Sequence, residues 1–309
     1  MHYKEAPSYP QAELNQLVLM IEQQIGLGFS QRDRAVLHRF LQWELARQQM
    51  TLGQYVQLLS QGDAQAKAAW ESLAEVMTTK ETYFFRDMGQ LLGIQEVVIP
   101  ELLNMAQPFA SITIMSVGCA TGEELYSLGI IMSEHQLGKC FQVNAIGTDV
   151  SRSAIEVARS GLYGKHSFRS TTTELNVLRE KYFVPVVKNG KEMYQIRPNL
   201  FNRIEFYQHN MVTDAFYMVW PGTVHLIVCR NVFIYFNEKS IVQVLKKFSE
   251  LLMPGGFLVV GHTELDRYHK EDFVTIVHKD TAIYQKRHPT REERLFHYPV
   301  WPSNSHPLH

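Results

Sequence analysis

The stretch SVGCATGEELYS, Ser116 to Ser127, sets two glycines, Gly118 and Gly122, directly before an acidic pair, Glu123 and Glu124. Glycines at such a turn let main chain approach a bound molecule closely. A dinucleotide would place its pyrophosphate at the start of the following helix, where N–H groups and the helix dipole favour an anion. Two carboxylates at that point repel a phosphate. The pair suits instead a ligand with a cationic group. The plainer alternative is that both acids simply stabilise the first turn of a helix.

Three further stretches carry polar residues where a parallel sheet would hold a ligand. Asp149 follows the apolar run VNAIGT, and a carboxylate at the end of a second strand can accept both hydroxyls of a ribose. It could equally cap the helix that starts near Ser151. CRNVFIYF, residues 229–236, puts Arg230 and Asn231 at the end of another apolar run, with Tyr235 one helical turn further on. Asn231 can hold polar ligand groups, and the Tyr235 hydroxyl would lie near a reacting centre, unless the ring is aromatic core. TTKETYFFRD, residues 78–87, ends on Arg86, either a solvated charge or one pointing into a cleft. A cation-bearing end beside the acids and a ribose beside Asp149 together describe S-adenosylmethionine.

These residues need particular elements to position them. Leu14, Leu17, Val18, Ile21 and Ile25 follow one helical face, and Gly26 can stop that helix. Val36, Leu37, Phe40, Leu41 and Leu45 mark a second helix. Thr51 with Gln54 has capping-box spacing for a third, and Asp63 can cap a fourth. From about Ser111, short apolar runs at 112–117, 143–148, 224–229 and 256–262 alternate with helical patterns at 123–136, 151–160 and 238–252. Such alternation predicts a doubly wound α/β domain with a parallel sheet. VTIV and AIYQ, at 274–277 and 282–285, predict a closing antiparallel hairpin. Asn189-Gly190 between β-rich runs predicts another, in a small inserted β-subdomain. The expected division is a helical domain over 1–88, a ligand-binding domain over 89–288 with an insertion at about 165–202, and a tail over 289–309.

Composition narrows the class. The 309 residues carry a formal net charge of −1, which argues against nucleic-acid or membrane-surface partners. No apolar run reaches the roughly 18 residues of a membrane span, so no membrane insertion is expected. MHYKEAPSYPQAEL lacks the apolar region of a signal peptide. Cys119, Cys140 and Cys229 form neither a disulfide framework nor a zinc pattern, so a reduced cytoplasmic setting and no metal are expected. The lack of a heptad seam favours a monomer.

TTKETYFFR, GCATGEELYS, GTDVSRSAIEVAR, CRNVFIYF, LLMPGGFLVVGHTE and TAIYQKR occur in an order that resembles the CheR family, the chemotaxis receptor glutamate O-methyltransferases. The resemblance spans about residues 10 to 287. It implies a class I S-adenosylmethionine-dependent methyltransferase fold, Rossmann-like, with a helical domain and an inserted β-subdomain. It implies cofactor contacts from Thr82 and Arg86, from Gly118 and one of the acidic pair Glu123 and Glu124 at the methionine end, Glu124 before Glu123, and from Asp149 at the ribose. Asn210 and Met211 would flank the adenine, and Arg230, Asn231 and Tyr235 would complete the pocket. The implied substrates are glutamates on the cytoplasmic domains of methyl-accepting chemoreceptors. Arg86 would orient the substrate carboxylate as a fork, and Tyr235 would fix its approach. Arg32 and Arg39, seven apart on one helix, either dock against acidic receptor helices or form a solvated face. The alternatives are a methyltransferase of this fold acting on another substrate, and a non-catalytic scaffold that binds the cofactor or its product S-adenosylhomocysteine. A nicotinamide dehydrogenase fails on the missing third glycine and the acidic pair.

One departure stands out. Lys80 and Glu81 stand where the family usually has Asn and an apolar residue. A cation at position 80 near a cationic cofactor is unfavourable unless Glu81 or a substrate carboxylate offsets it.

Overall fold

The computed structural model describes residues 9–105, 111–135, 141–169, 172–198, 200–201, 203–262, 264–265 and 271–288. The expected tail lies outside these, as does Cys140.

Four helices, α1 (Gln11–Ile25), α2 (Gln31–Gln48), α3 (Leu52–Leu59) and α4 (Ala64–Met77), bury a shared core that includes Leu17, Ile21, Leu41, Tyr55 and Leu73. Their ends follow from local chemistry. Gly26 adopts a left-handed conformation, φ 86°, and ends α1. Thr51 and Gln54 exchange side-chain and main-chain bonds at the start of α3. Asp63 accepts from the Ala66 N–H at 2.8 Å. A further helical stretch, α5 (Met88–Gly93), a π-helical turn (Ile94–Val98) and α6 (Ile99–Met105), leads into the sheet.

The strands are β1 (Ser111–Val117), β2 (Gln142–Asp149), β3 (Leu162–Tyr163), β4 (Phe183–Lys188), β5 (Lys191–Ile196), β6 (Arg203–Gln208), β7 (Val224–Cys229), β8 (Leu252–Val260), β9 (Phe273–His278) and β10 (Thr281–Lys286). The remaining helices are α7 (Glu123–Glu134), α8 (Arg152–Ser160), α9 (Thr173–Tyr182) and α10 (Glu238–Leu251). The main sheet runs β6-β2-β1-β7-β8-β10-β9. Its first five strands are parallel, and β9 and β10 are antiparallel. From β1 the chain winds outward through β2 to β6, then returns to the other side of β1 as β7. That reversal opens a crevice at the carboxyl ends of β1 and β7.

Alternation along β1 decides what each residue faces. Ile112 and Ile114 join the core under α5, α6, α7 and α8, whereas Met115 and Val117 join the core under α10. Ser116 falls on the α7 side, which the site below exploits.

The parallel strands, their helices and the closing hairpin match the expected pattern. Two elements differ. β6, an edge strand with polar and apolar residues interleaved, is absent from the sequence reading. The inserted sheet, β3-β5-β4, begins at Leu162, and the insertion also carries the helix α9, which the sequence pattern does not predict. Its hairpin turns at Asn189 and Gly190, with φ 52° and 70°, as a two-residue turn requires.

The insertion is riveted to the segment between α4 and α5. Phe84 is 2% exposed and packs against Tyr163, Phe168 and Phe183, each with ring centroids 4.9 Å away. Its N–H donates to the Ser167 carbonyl at 2.9 Å. Truncating such a ring leaves a cavity, so Phe84→Ala should lower stability by about 3–5 kcal/mol in urea unfolding, and Phe84→Leu by clearly less.

Candidate functional site

A cavity of about 330 Å³ opens at the carboxyl ends of β1, β2 and β7. The ends of these strands form its floor. Ile25 and Leu27 after α1, Arg32 at the start of α2, and the segment Met77–Arg86 form its roof. The bundle and the sheet thus meet at the crevice that the strand order creates.

The loop after β1 is drawn tightly over β2. The N–H groups of Gly118 and Cys119 both donate to the Thr148 carbonyl, at 2.8 and 3.0 Å. Gly118 has φ 74°, and a side chain there would meet Val232 at 2.6 Å. Ala120, at φ 46°, donates its N–H to Asp149 Oδ2 at 2.9 Å. Asp149 Oδ1 accepts from the Ser151 N–H at 2.8 Å, while Ser151 itself caps α8. Asp149 is therefore a buried clamp on the floor of the cavity rather than a helix cap, and burial pushes its carboxyl above the ordinary value.

The two adjacent acids part company. Glu123 is 2% exposed and faces away from the cavity: Oε1 accepts from Ser167 Oγ at 2.8 Å and Oε2 from Thr121 Oγ1 at 2.5 Å. The expected cofactor contact from Glu123 is thereby corrected, because both oxygens anchor the insertion and the loop. Glu124 lines the cavity. Oε1 accepts from Ser116 Oγ at 2.8 Å, and Oε2 lies 3.5 Å from Arg230 Nη1. Burial raises its carboxyl above the ordinary value, with Arg230 and then the Ser116 bond acting in the opposite sense.

Arg230 was expected to touch the ligand, yet the protein uses its nitrogens. Nε donates to Gln90 Oε1 at 2.8 Å, and Nη2 donates to the Arg86 carbonyl at 2.5 Å and lies 3.4 Å from Asp87. Arg230 is a strut between β7, α5 and Glu124. Gln90, buried and invisible as a site residue in the sequence, is its partner.

The segment 80–87 is held in an unusual shape. Phe85 and Asp87 have φ 58° and 54°. The Phe85 N–H donates to Ser127 Oγ at 3.0 Å. This leaves Arg86, with its side chain 26% exposed, at the solvent side of the cavity beside Thr82. Lys80 turns outward, pairing with Glu75 of α4 and donating to Ser153 Oγ at 3.2 Å. The expected repulsion between Lys80 and a cationic ligand is corrected: Glu75, not Glu81, offsets the lysine.

Asn231, also left-handed at φ 58°, and Tyr235, 36% exposed, line the opposite wall. Their turn hangs on Glu264, a residue with no role in the sequence reading. Its buried carboxylate accepts from the Gly261 N–H at 2.6 Å and the Ile234 N–H at 3.2 Å. The signal was available: an acid just past the end of a parallel strand, in GHTE. Asn210 and Met211 line the cavity after β6, but the Asn210 amide is committed, donating to the Gln24 carbonyl at 2.7 Å and accepting from the Val212 N–H at 3.0 Å.

A family model described as CheR methyltransferase, SAM binding domain, matches residues 80–283. The chain belongs to the CheR methyltransferase family. Chemotaxis protein methyltransferase 2 of Vibrio cholerae is 30% identical over 265 residues, covering 85% of this chain and 87% of that relative. The chemotaxis protein methyltransferase of Escherichia coli is 26% identical over 255 residues, covering 82% and 84%. As a CheR methyltransferase the chain uses S-adenosylmethionine, and the cavity's donor set fits it. Glu124, a half-buried carboxylate on the cavity wall, suits a cationic end, and Asp149 on the neighbouring strand keeps lone pairs for a ribose. We propose Glu124 as the contact to the cofactor's ammonium, with Gly118, Asp149, Met211 and Asn231 shaping the rest.

Glu124→Gln should then weaken S-adenosylmethionine binding about ten- to hundredfold by calorimetry, the range of a charge-assisted bond. Glu123→Gln should leave that affinity near the parent's while lowering stability. Because burial raises the Glu124 carboxyl, cofactor binding should release a proton only where the pH is low enough to leave that carboxyl protonated in the free protein. Affinity should therefore rise with pH through that raised value, as calorimetry in buffers of differing ionisation heat would show.

Proposed function

We propose that this CheR methyltransferase converts glutamate side chains on the cytoplasmic domains of methyl-accepting chemoreceptors into γ-carboxyl methyl esters. The observation that carries this reading is the order of charge across the cavity. Its inner side bears the acids Glu124 and Asp149, with Arg230 spent on protein partners, and its solvent side bears Arg86 and Arg32 beside Glu81 and Asp33. A cationic cofactor end belongs inward, and an anionic acceptor belongs at the mouth. The Vibrio cholerae and Escherichia coli relatives, both chemotaxis protein methyltransferases, point to chemotaxis as the setting.

S-adenosylmethionine, when bound, supplies the methyl group and departs as a neutral thioether. A glutamate carboxylate, with an unperturbed pKa of about 4.3, is already anionic near neutrality, so the protein need supply no general base. What remains is positioning, for which large rate gains are available. Arg86 is held for this by its own main-chain surroundings: its Nη1 donates to the Glu81 carbonyl at 2.6 Å, and its carbonyl is held by Arg230. Its fork-shaped guanidinium matches a carboxylate. Tyr235, opposite, can donate its hydroxyl to the same acceptor. The helical bundle roofs part of the cavity.

Incubation with methyl-labelled cofactor and chemoreceptor membranes tests the reading: base-labile label on receptor carboxylates is expected, and tight cofactor binding with no receptor label would overturn it. Arg86→Ala should lower turnover about a hundredfold through misplacement of the acceptor. Cofactor affinity should change far less, and equal loss of both would remove Arg86 from the role.

A further inference from the structure

The mouth of the cavity carries a carboxylate of its own. Glu81 lines it together with Arg32, Arg86 and Tyr235, and its side chain is 55% exposed. Glu81 Oε1 accepts from Arg169 Nη1 at 2.6 Å. Arg169 lies in the insertion, just after Phe168, and brings a second guanidinium to this side of the molecule. The guanidinium carbons of Arg169 and Arg86 stand 5.0 and 5.8 Å from the centre of one ring, Tyr83. Residue 81 therefore organises both arginines, holding Arg86 through its carbonyl and Arg169 through its side chain. Arg169 first, then Arg86 and Arg32, hold the Glu81 carboxyl below the ordinary value.

The bridge is not needed to attach the insertion. The Phe84 ring cluster and the Phe84 N–H bond to Ser167 already do that. Both partners are also well exposed, 49% and 55%, so water screens their attraction and exchange for another anion costs little. Chemically, the Glu81 side chain is the same group as the acceptor in the reading above.

We propose that Glu81 is an internal competitor for the arginines that receive the substrate carboxylate, and that Arg169 is the second of those arginines. In the resting enzyme Glu81 holds Arg169 at the mouth. An acidic substrate segment takes the place of Glu81 on Arg169 while its reacting glutamate meets Arg86. The inference rests on the carboxylate-acceptor reading and adds the insertion's arginine to substrate recognition.

Steady-state methylation of receptor membranes, with cofactor affinity measured separately by calorimetry, tests it on the parent, Glu81→Gln, Arg169→Ala and the double variant. Glu81→Gln should lower the KM for receptor about two- to fivefold, the scale of an exposed ion pair. Arg169→Ala should raise that KM, and in its background Glu81→Gln should bring no further gain. Cofactor affinity should stay near the parent's in all three. An unchanged or raised KM for Glu81→Gln, with receptor labelling intact in the parent, overturns the inference and leaves the substrate reading standing. A parent enzyme that labels no receptor carboxylate overturns that reading and the inference with it.

Discussion

One buried guanidinium holds the parts of this site together. Arg230 stands at the end of β7 with its side chain 2% exposed. A guanidinium keeps its charge in a protein, so partners must compensate for its burial. Those partners come from separate stretches of chain: Gln90 in α5, the carbonyl of Arg86, Asp87, and Glu124 in α7. Displacing any of them leaves a buried charge short of a partner. The end of the sheet, the acidic loop and the arginine-bearing segment therefore take their places together.

The backbone around the cavity is strained, and the strain is held from several sides. Among the described residues, seven non-glycine positions have positive φ. Four of them, Phe85, Asp87, Ala120 and Asn231, border the site, and such conformations persist only where surroundings over-determine them. Ser127 holds Phe85, Asp149 holds Ala120, and Glu264 holds the turn that carries Asn231 and Tyr235. Buried carboxylates thus serve here as acceptors for main-chain N–H groups, and that use places Asp149 on the cavity wall.

Charge is sorted by depth. Asp149 and Arg230 are buried and Glu124 is nearly so, while Arg86 and Arg32 stand on the solvent side. Lys80, one residue from this boundary, is drawn away by Glu75 and Ser153, which also ties α4 to α8. Lys80 thus strengthens the joint between bundle and sheet. Glu81 places an anion among the cations Arg169, Arg86 and Arg32.

Much of the architecture is local and so legible in sequence. The helices of the bundle follow from spacing and caps, and the parallel strands from short apolar runs that two packed faces require. The closing hairpins follow from turn residues with permitted left-handed conformations. Proximity of Asp149, the glycine loop and the 229–236 segment follows from parallel strands with crossover helices, whereas the place of Arg86 does not. Other outcomes were not local. Glu123 and Glu124 are neighbours of one type, and successive helical residues point about 100° apart. Nothing in the pair says which one the insertion's Ser167 will claim, because Ser167 is far along the chain. The partners of Lys80, Arg230 and Asn210 are likewise remote, and β6 is an edge strand whose partner, not its pattern, makes it a strand. Sequence determined which chemistry is available at the end of the sheet. The long-range contacts alone decided which of those groups spend their hydrogen bonds on the fold and which still face the cavity.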